Sequence, residues 1–183
     1  MPNLLELTKF GNPILRENTR RLSSDDVQSK STQKLIENMK FTLQEESYGV
    51  GIAAPQVGES VALSVIGIKP TPNRPELEVF ETTLINPEIL ETVGEKVPMW
   101  EGCVSCGSGN GLLFAQVPRY ESIKLRWMNE HGEVLERVLG GFVAHVAQHE
   151  VDHLNGVLFV DRVEDTTTYM MADQYRSRVL SQV

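Results

Sequence analysis

Late in the chain stands the string Gln148-His149-Glu150-Val151-Asp152-His153, and it restricts the fold more than any other segment. Two imidazoles four residues apart converge on one ion only when their backbone is helical, because such residues lie one above the other on a single face. The helix must also lie against another part of the chain, since two protein ligands do not complete an ion's coordination. Glu150 sits one step round the helix, where it could reach a water at the ion without itself being a ligand. Apolar spacing over 142–154, followed by Asn155-Gly156, supports a helix that stops there. The plain alternative is a pair of surface histidines flanking an acid.

Cys103 is the best candidate for the third ligand. A thiolate suits zinc or ferrous iron, and a cysteine at a strand end is readily held rigid. Three protein ligands leave a fourth position for water, which marks a catalytic site. His145 continues the stripe of His149 and His153, but eight residues of helix rise ~12 Å, too far for one ion, so His145 is expected to line the cleft or sit among polar groups behind the ligands, with an incidental core or rim histidine as the plain alternative. Cys106 raises a rival: Cys103 and Cys106 with His149 and His153 spell a closed structural Cys2His2 zinc site in a binding protein, although the pairs are too far apart in sequence for a zinc finger. A second rival is a zincin-type endopeptidase, in which Asp161 or Glu164 would supply the last ligand, since no histidine follows His153. A redox dithiol is disfavoured because no helix follows Cys103 to lower its pKa.

The surrounding sequence indicates an α+β fold. Ser23-Ser24-Asp25-Asp26 can cap a helix, and Leu35, Met39 and Leu43 give it one apolar face to about residue 46. Gly49, Gly51 and Pro55 predict a loop, 61–68 a strand, and the three prolines of 69–75 a surface loop. Further strands are expected at 79–86, 89–93, 100–105, 112–117, 123–128 and 134–139, with a hairpin turn at Asn129-Glu130-His131-Gly132 and a helix from 166 to 180. Helices separated by runs of strands imply antiparallel or mixed β-sheets packed around the central metal-binding helix, with N-terminal and C-terminal helices. No linker divides the 183 residues, so 1–183 reads as one domain with 166–183 as its C-terminal helix. A formal charge of −8 argues against non-specific nucleic-acid binding. The N-terminal apolar run is cut short at Glu6, unlike a secretory signal, and no stretch suits a membrane span. A cytoplasmic, bacterial-type protein is expected, and a mature organellar form would look the same.

Two further segments, Gly49-Val50-Gly51-Ile52-Ala53-Ala54-Pro55-Gln56 and Glu101-Gly102-Cys103-Val104-Ser105, join the helical string. In order and type the three resemble the motifs of the peptide deformylases. Gly11-Asn12-Pro13-Ile14-Leu15-Arg16, Leu84-Ile85-Asn86-Pro87 and Gly156-Val157-Leu158-Phe159 extend the likeness over nearly the whole chain. The resemblance implies a metal-dependent hydrolase that removes the formyl group from the N-terminal formyl-methionine of nascent polypeptides and releases formate. It implies that Cys103, His149 and His153 hold one divalent ion, ferrous iron natively, with zinc or nickel as substitutes. Glu150 would be general base and then acid. Gln56 and the backbone N–H of Val104 would bind the oxyanion. The backbone around Val50 and Gly51 would pair with the extended substrate, and the methionine side chain would enter a pocket near Gly49, Val50, Phe142 and His145. Glu101 and Arg119 would form a supporting ion pair.

General chemistry agrees with these roles. A divalent ion lowers the pKa of its water towards ~7, the resulting hydroxide attacks the formyl carbon, and the carbonyl oxygen then needs preorganised donors. The chain departs from the family pattern in three places. Val104 replaces a common leucine, the 106–111 loop is glycine-rich without the usual basic residue, and Ala62 stands near the place of a common arginine. These changes are expected to alter substrate contacts beyond methionine. Arg176 and Arg178 could touch a ribosome, although a solvated helix face explains them more simply.

Overall fold

A computed structural model describes residues 1–46, 49–72 and 74–180. The first helical region is two helices, α1 (Ser24–Gln28) and α2 (Lys30–Glu45), where the sequence suggested one. Ser29 causes the break: its backbone is extended and its hydroxyl accepts from Thr32 N, capping a new helix as serine does when it competes with helix continuation. Ile36, Met39 and Leu43 of α2 are buried, confirming the expected apolar face.

Five strands follow in an antiparallel path: β1 (Gly51–Ala53), β2 (Leu63–Ile68), β3 (Phe80–Gly102), β4 (Leu113–Met128) and β5 (Val134–Gly140). A short sixth strand, β6 (Met170–Met171), pairs with β4. Among the described residues these strands all pair antiparallel, and the one parallel contact is an isolated bridge of Arg20 with Val61. Residues 51–53 were expected to be loop but add an edge strand to β2, with Gly51 opposite Ile66. The separate strands expected at 79–86, 89–93 and 100–105 are one strand to Gly102, and those at 112–117 and 123–128 are likewise one. Pro87 falls in a register shift between Ile85 and Glu88, and Pro98 lies opposite Pro118, so both missing N–H groups share one rung.

Helix α3 (Gly141–Leu154) follows β5 directly. Its Ala144, Val146, Ala147 and Val151 pack on Ile66, Ile68, Leu84, Ile123, Leu125 and Trp127 of the sheet. Gln148 then fastens helix to strand: its Oε1 accepts from Tyr120 N at 3.1 Å and its Nε2 donates to Tyr120 O at 2.9 Å. A second core joins α2 to β1 and β2 through Met39, Leu43, Ile52, Leu63 and Val65.

The C-terminal helix is shorter than expected. A turn at Thr166–Thr168 and strand β6 precede α4 (Ala172–Arg178), and residues 181–183 of the expected helix lie outside the described residues. Asp165 caps the turn by accepting from Thr167 N, and three β-branched threonines disfavour helix continuation. Tyr175 stacks on Phe114 with ring centroids 4.2 Å apart, docking α4 on β4.

Met39 has no exposed surface. Met39→Ala should therefore lower unfolding stability by about 2–5 kcal/mol, read as a lower urea midpoint with an unchanged slope. An unchanged midpoint would show that α2 does not contribute to the cooperative core.

Candidate active site

The end of β3 and the face of α3 meet at three donor atoms. Cys103 follows the last residue of β3 and opens a turn closed by Cys106 N donating to Cys103 O at 2.7 Å. Its Sγ lies 3.3 Å from His153 Nε2, which in turn lies 3.1 Å from His149 Nε2. The ligand atoms of Cys103, His149 and His153 all fall within 4.8 Å of one another. Cys106, which closes that turn, is not part of this cluster, which removes the closed Cys2His2 reading. Asp161 is engaged by Arg16 and accepts from Leu158 N at 2.8 Å, and Glu164 is exposed. Neither supplies the ligand a zincin would need.

Glu101 and its partners orient the histidines. Glu101 Oε2 lies 2.7 Å from His149 Nδ1, which turns Nε2 towards the cluster. Arg119 grips the same carboxylate through Nε and through a second nitrogen at 3.1 Å. Its remaining nitrogen reaches Asp152 Oδ2 at 2.8 Å, and Arg162 bonds the other oxygen of Asp152 at 2.7 Å. Burial pushes the Glu101 carboxyl up most strongly, yet His149, His145 and Arg119 together hold it well below its ordinary range. It is ionised. His145 Nε2 lies 2.5 Å from Glu101 Oε1 without the alignment of a hydrogen bond, and His145 is not among the three grouped donors. Burial holds His153 well below the usual histidine range, leaving it neutral, the form that binds metals.

Glu150 is 2% exposed, and its Oε2 has no hydrogen-bond partner among the described residues. Burial pushes its carboxyl up to about 7, against the opposing pull of His149 and Arg119. Gly51 makes room for it: a Cβ there would lie 2.2 Å from Glu150 Oε1. Gln56 is held by Ala53 N donating to its Oε1 at 2.8 Å, and its amide nitrogen donates to Cys103 Sγ and Ser105 Oγ, each at 3.2 Å.

These groups open on a cleft of about 1400 Å³. Gly49, Val50, Gly51, Phe142 and His145 line it, as do Gln56, Val104 and Glu150. His153 and Arg119 are buried and do not line it. One soft sulfur and two imidazole nitrogens, buried and already convergent, suit a divalent transition-metal ion. The unpartnered carboxylate oxygen beside them has no structural role that burial would reward.

The family model for polypeptide deformylase matches residues 4–169. The chain belongs to the polypeptide deformylase family. It is 36% identical to peptide deformylase 2 of a Nostoc species, over 97% of this chain and 96% of that one. It is 38% identical to the peptide deformylase of Aquifex aeolicus, over 96% and 97%. Among solved structures, a class I type b peptide deformylase from Acinetobacter baumannii with Met-Ala-Ser bound superposes with a TM-score of 0.81 at 37% identity, covering 89% of this chain and all of that one. A peptide deformylase from Synechococcus elongatus in complex with actinonin superposes at 0.74 with 36% identity, over 90% of this chain and 81% of that one. The chain is thus a metal-dependent enzyme that removes the formyl group from formyl-methionyl peptides of nascent chains. Among the described residues no helix is long and apolar enough to cross a membrane.

Asp152, Gln148 and Ser105 escaped the sequence reading. Asp152 lies inside the motif itself, and its buried carboxylate was legible only as an acid on the far side of a helix that must pack. Its partner Arg162 gave no signal.

The closeness of Gly51 to Glu150 yields a direct test. Gly51→Ala should keep the bound metal and lower kcat/KM by about 10²-fold, the scale expected for a catalytic group displaced by about 1 Å. Wild-type kinetics would show that Glu150 tolerates the displacement.

Proposed function

We propose that each residue of the cleft has a distinct part in deformylation. Cys103, His149 and His153 hold one divalent ion, ferrous iron natively, with zinc or nickel able to replace it. When bound, that ion supplies Lewis acidity that lowers the pKa of water towards ~7 and polarises a carbonyl. Glu150 accepts the proton of the attacking water on its unpartnered Oε2 and returns it to the amine nitrogen as formate departs. A carboxyl poised at about 7 can both accept and donate at neutral pH, and this observation carries the assignment most directly.

The amide of Gln56 and the backbone N–H of Val104 stabilise the oxygen that becomes anionic when the formyl carbon is attacked. Gln56 is preorganised because Ala53 N fixes the opposite end of its amide. β1 is the first strand of the sheet, so its outer edge at Val50 and Gly51 offers backbone groups to an extended peptide. Gly49, Val50, Phe142 and His145 receive the methionine side chain. Glu101 and Arg119 stay off the substrate and hold His149 in place.

The same reading treats 1–183 as one domain acting in the cytoplasm of a bacterial-type cell. Nascent chains are the substrate. Contact with the ribosome through the exposed Arg178 of α4 is compatible with it but is supported by charge alone, and Arg176 bonds Asn110 within the chain.

Formate release from a formyl-methionyl peptide by iron-loaded protein tests these roles. Glu150→Ala should bind iron at wild-type stoichiometry and lose about 10²–10⁴ in turnover. Gln56→Ala should lower kcat by about 10²–10³. A Glu150→Ala variant that binds metal and turns over at the wild-type rate would remove Glu150 from the mechanism.

A further inference from the structure

Cys106 has no part in the reaction, yet it is placed against the one sulfur the reaction needs. The four residues Cys103 to Cys106 form a turn closed by a 2.7 Å backbone hydrogen bond, and both cysteines belong to one buried cluster with Ala115, Val117 and Phe159. Both cysteines are free thiols and both are buried. Residues i and i+3 of such a turn have Cα atoms under about 7 Å apart, within the range that a disulfide spans. Only Cys106 faces a second pocket of about 390 Å³, lined also by Lys9, Phe10, Ser105, Leu113 and Val160. That pocket shares no lining residue with the substrate cleft. A small oxidant therefore has its own route to Cys106. The adjoining Gly107 has φ +117° and closes a loop rich in glycine that can adjust as the sulfurs approach.

We propose that Cys103 and Cys106 are a peroxide modification site that closes reversibly to an intramolecular disulfide. The sulfur of Cys106 attacks hydrogen peroxide: an S–O bond forms, the O–O bond breaks, and one oxygen leaves as water. The sulfur of Cys103 then displaces the second oxygen, so that S–S forms and S–O breaks. In sum two thiols lose two electrons and two protons, and the peroxide becomes two waters. The oxidised Cys103 no longer presents a thiolate, and the centre is reduced to two imidazoles. A loop this short gives a disulfide little help from chain entropy, which keeps it open to reduction by cellular thiols.

The consequence for the ion rests on the ligand assignment above; closure of the disulfide does not. Both cysteines fall on one tryptic peptide, between Lys96 and Arg119. After stoichiometric hydrogen peroxide, the metal-loaded enzyme should show that peptide about two mass units lighter, as loss of two hydrogens requires. Its two thiols should disappear together, and metal should be released to a colorimetric chelator. Dithiothreitol should restore both thiols, and added ferrous iron should then restore metal content. Cys106→Ser should bind metal and deformylate normally before treatment. After the same peroxide dose it should show no peptide lighter by two hydrogens, and any sulfenic acid it forms should persist long enough for dimedone to trap it. Oxygen addition without the lighter peptide in the wild type, or dimedone trapping in the wild type equal to that in Cys106→Ser, would overturn the proposal. A lighter peptide with its metal retained would support the disulfide and count against Cys103 as a ligand.

Discussion

The carboxylate of Glu101 is buried between Arg119 of β4 and His149 of α3, so one negative charge ties strand to helix. Arg119 extends the tie to Asp152 on the next turn of α3, and Arg162 closes it from the outside. Buried charges are costly unless fully paired, and removing one partner of such a set destabilises by about 3–5 kcal/mol. Here every charge has a partner, and the arrangement points His149 Nε2 at Cys103 and His153. The pairing sets ligand geometry at least as much as it sets stability.

The opposite wall follows the same logic by steric means. Glu150 can be buried because Gly51 carries no side chain where its Oε1 lies, and burial is what raises its carboxyl. Gln56, one turn beyond β1, is held by backbone at one end and directs its amide nitrogen to Cys103 and Ser105. The groups proposed as base and oxyanion donor thus come from two different elements, and both are held by contacts within the chain. Such preorganisation is the largest usual source of rate enhancement in acyl transfer.

Much of this was legible from residue spacing. The His149–His153 interval demanded the helix, and the observed α3 differs from the expected 142–154 by one residue at its start. Ligand chemistry and helix rise singled out Cys103, His149 and His153 over His145, and the structure brings the donor atoms of those three together. The boundaries of strands were less legible. Separate strands were expected at 79–86, 89–93 and 100–105, but a register shift at Pro87 and a facing proline at Pro98 keep β3 continuous. Residues 51–53 looked like loop because glycine and proline dominate the segment. Its strand character comes from Val65 and Ile66 across the ladder, a long-range cause with no local trace. Asp152 and Arg162 were invisible for the same reason, since their pairing exists only once the chain beyond α3 has turned back.

The central claim is that one sulfur and two imidazoles surround an ion that keeps a place for solvent. X-ray absorption at the metal edge of protein carrying one zinc or ferrous ion per chain measures this directly. The account predicts a single sulfur at about 2.3 Å with nitrogen or oxygen neighbours near 2.0–2.1 Å, one of them exchangeable for a small anion. Two sulfur neighbours, or none, would contradict it.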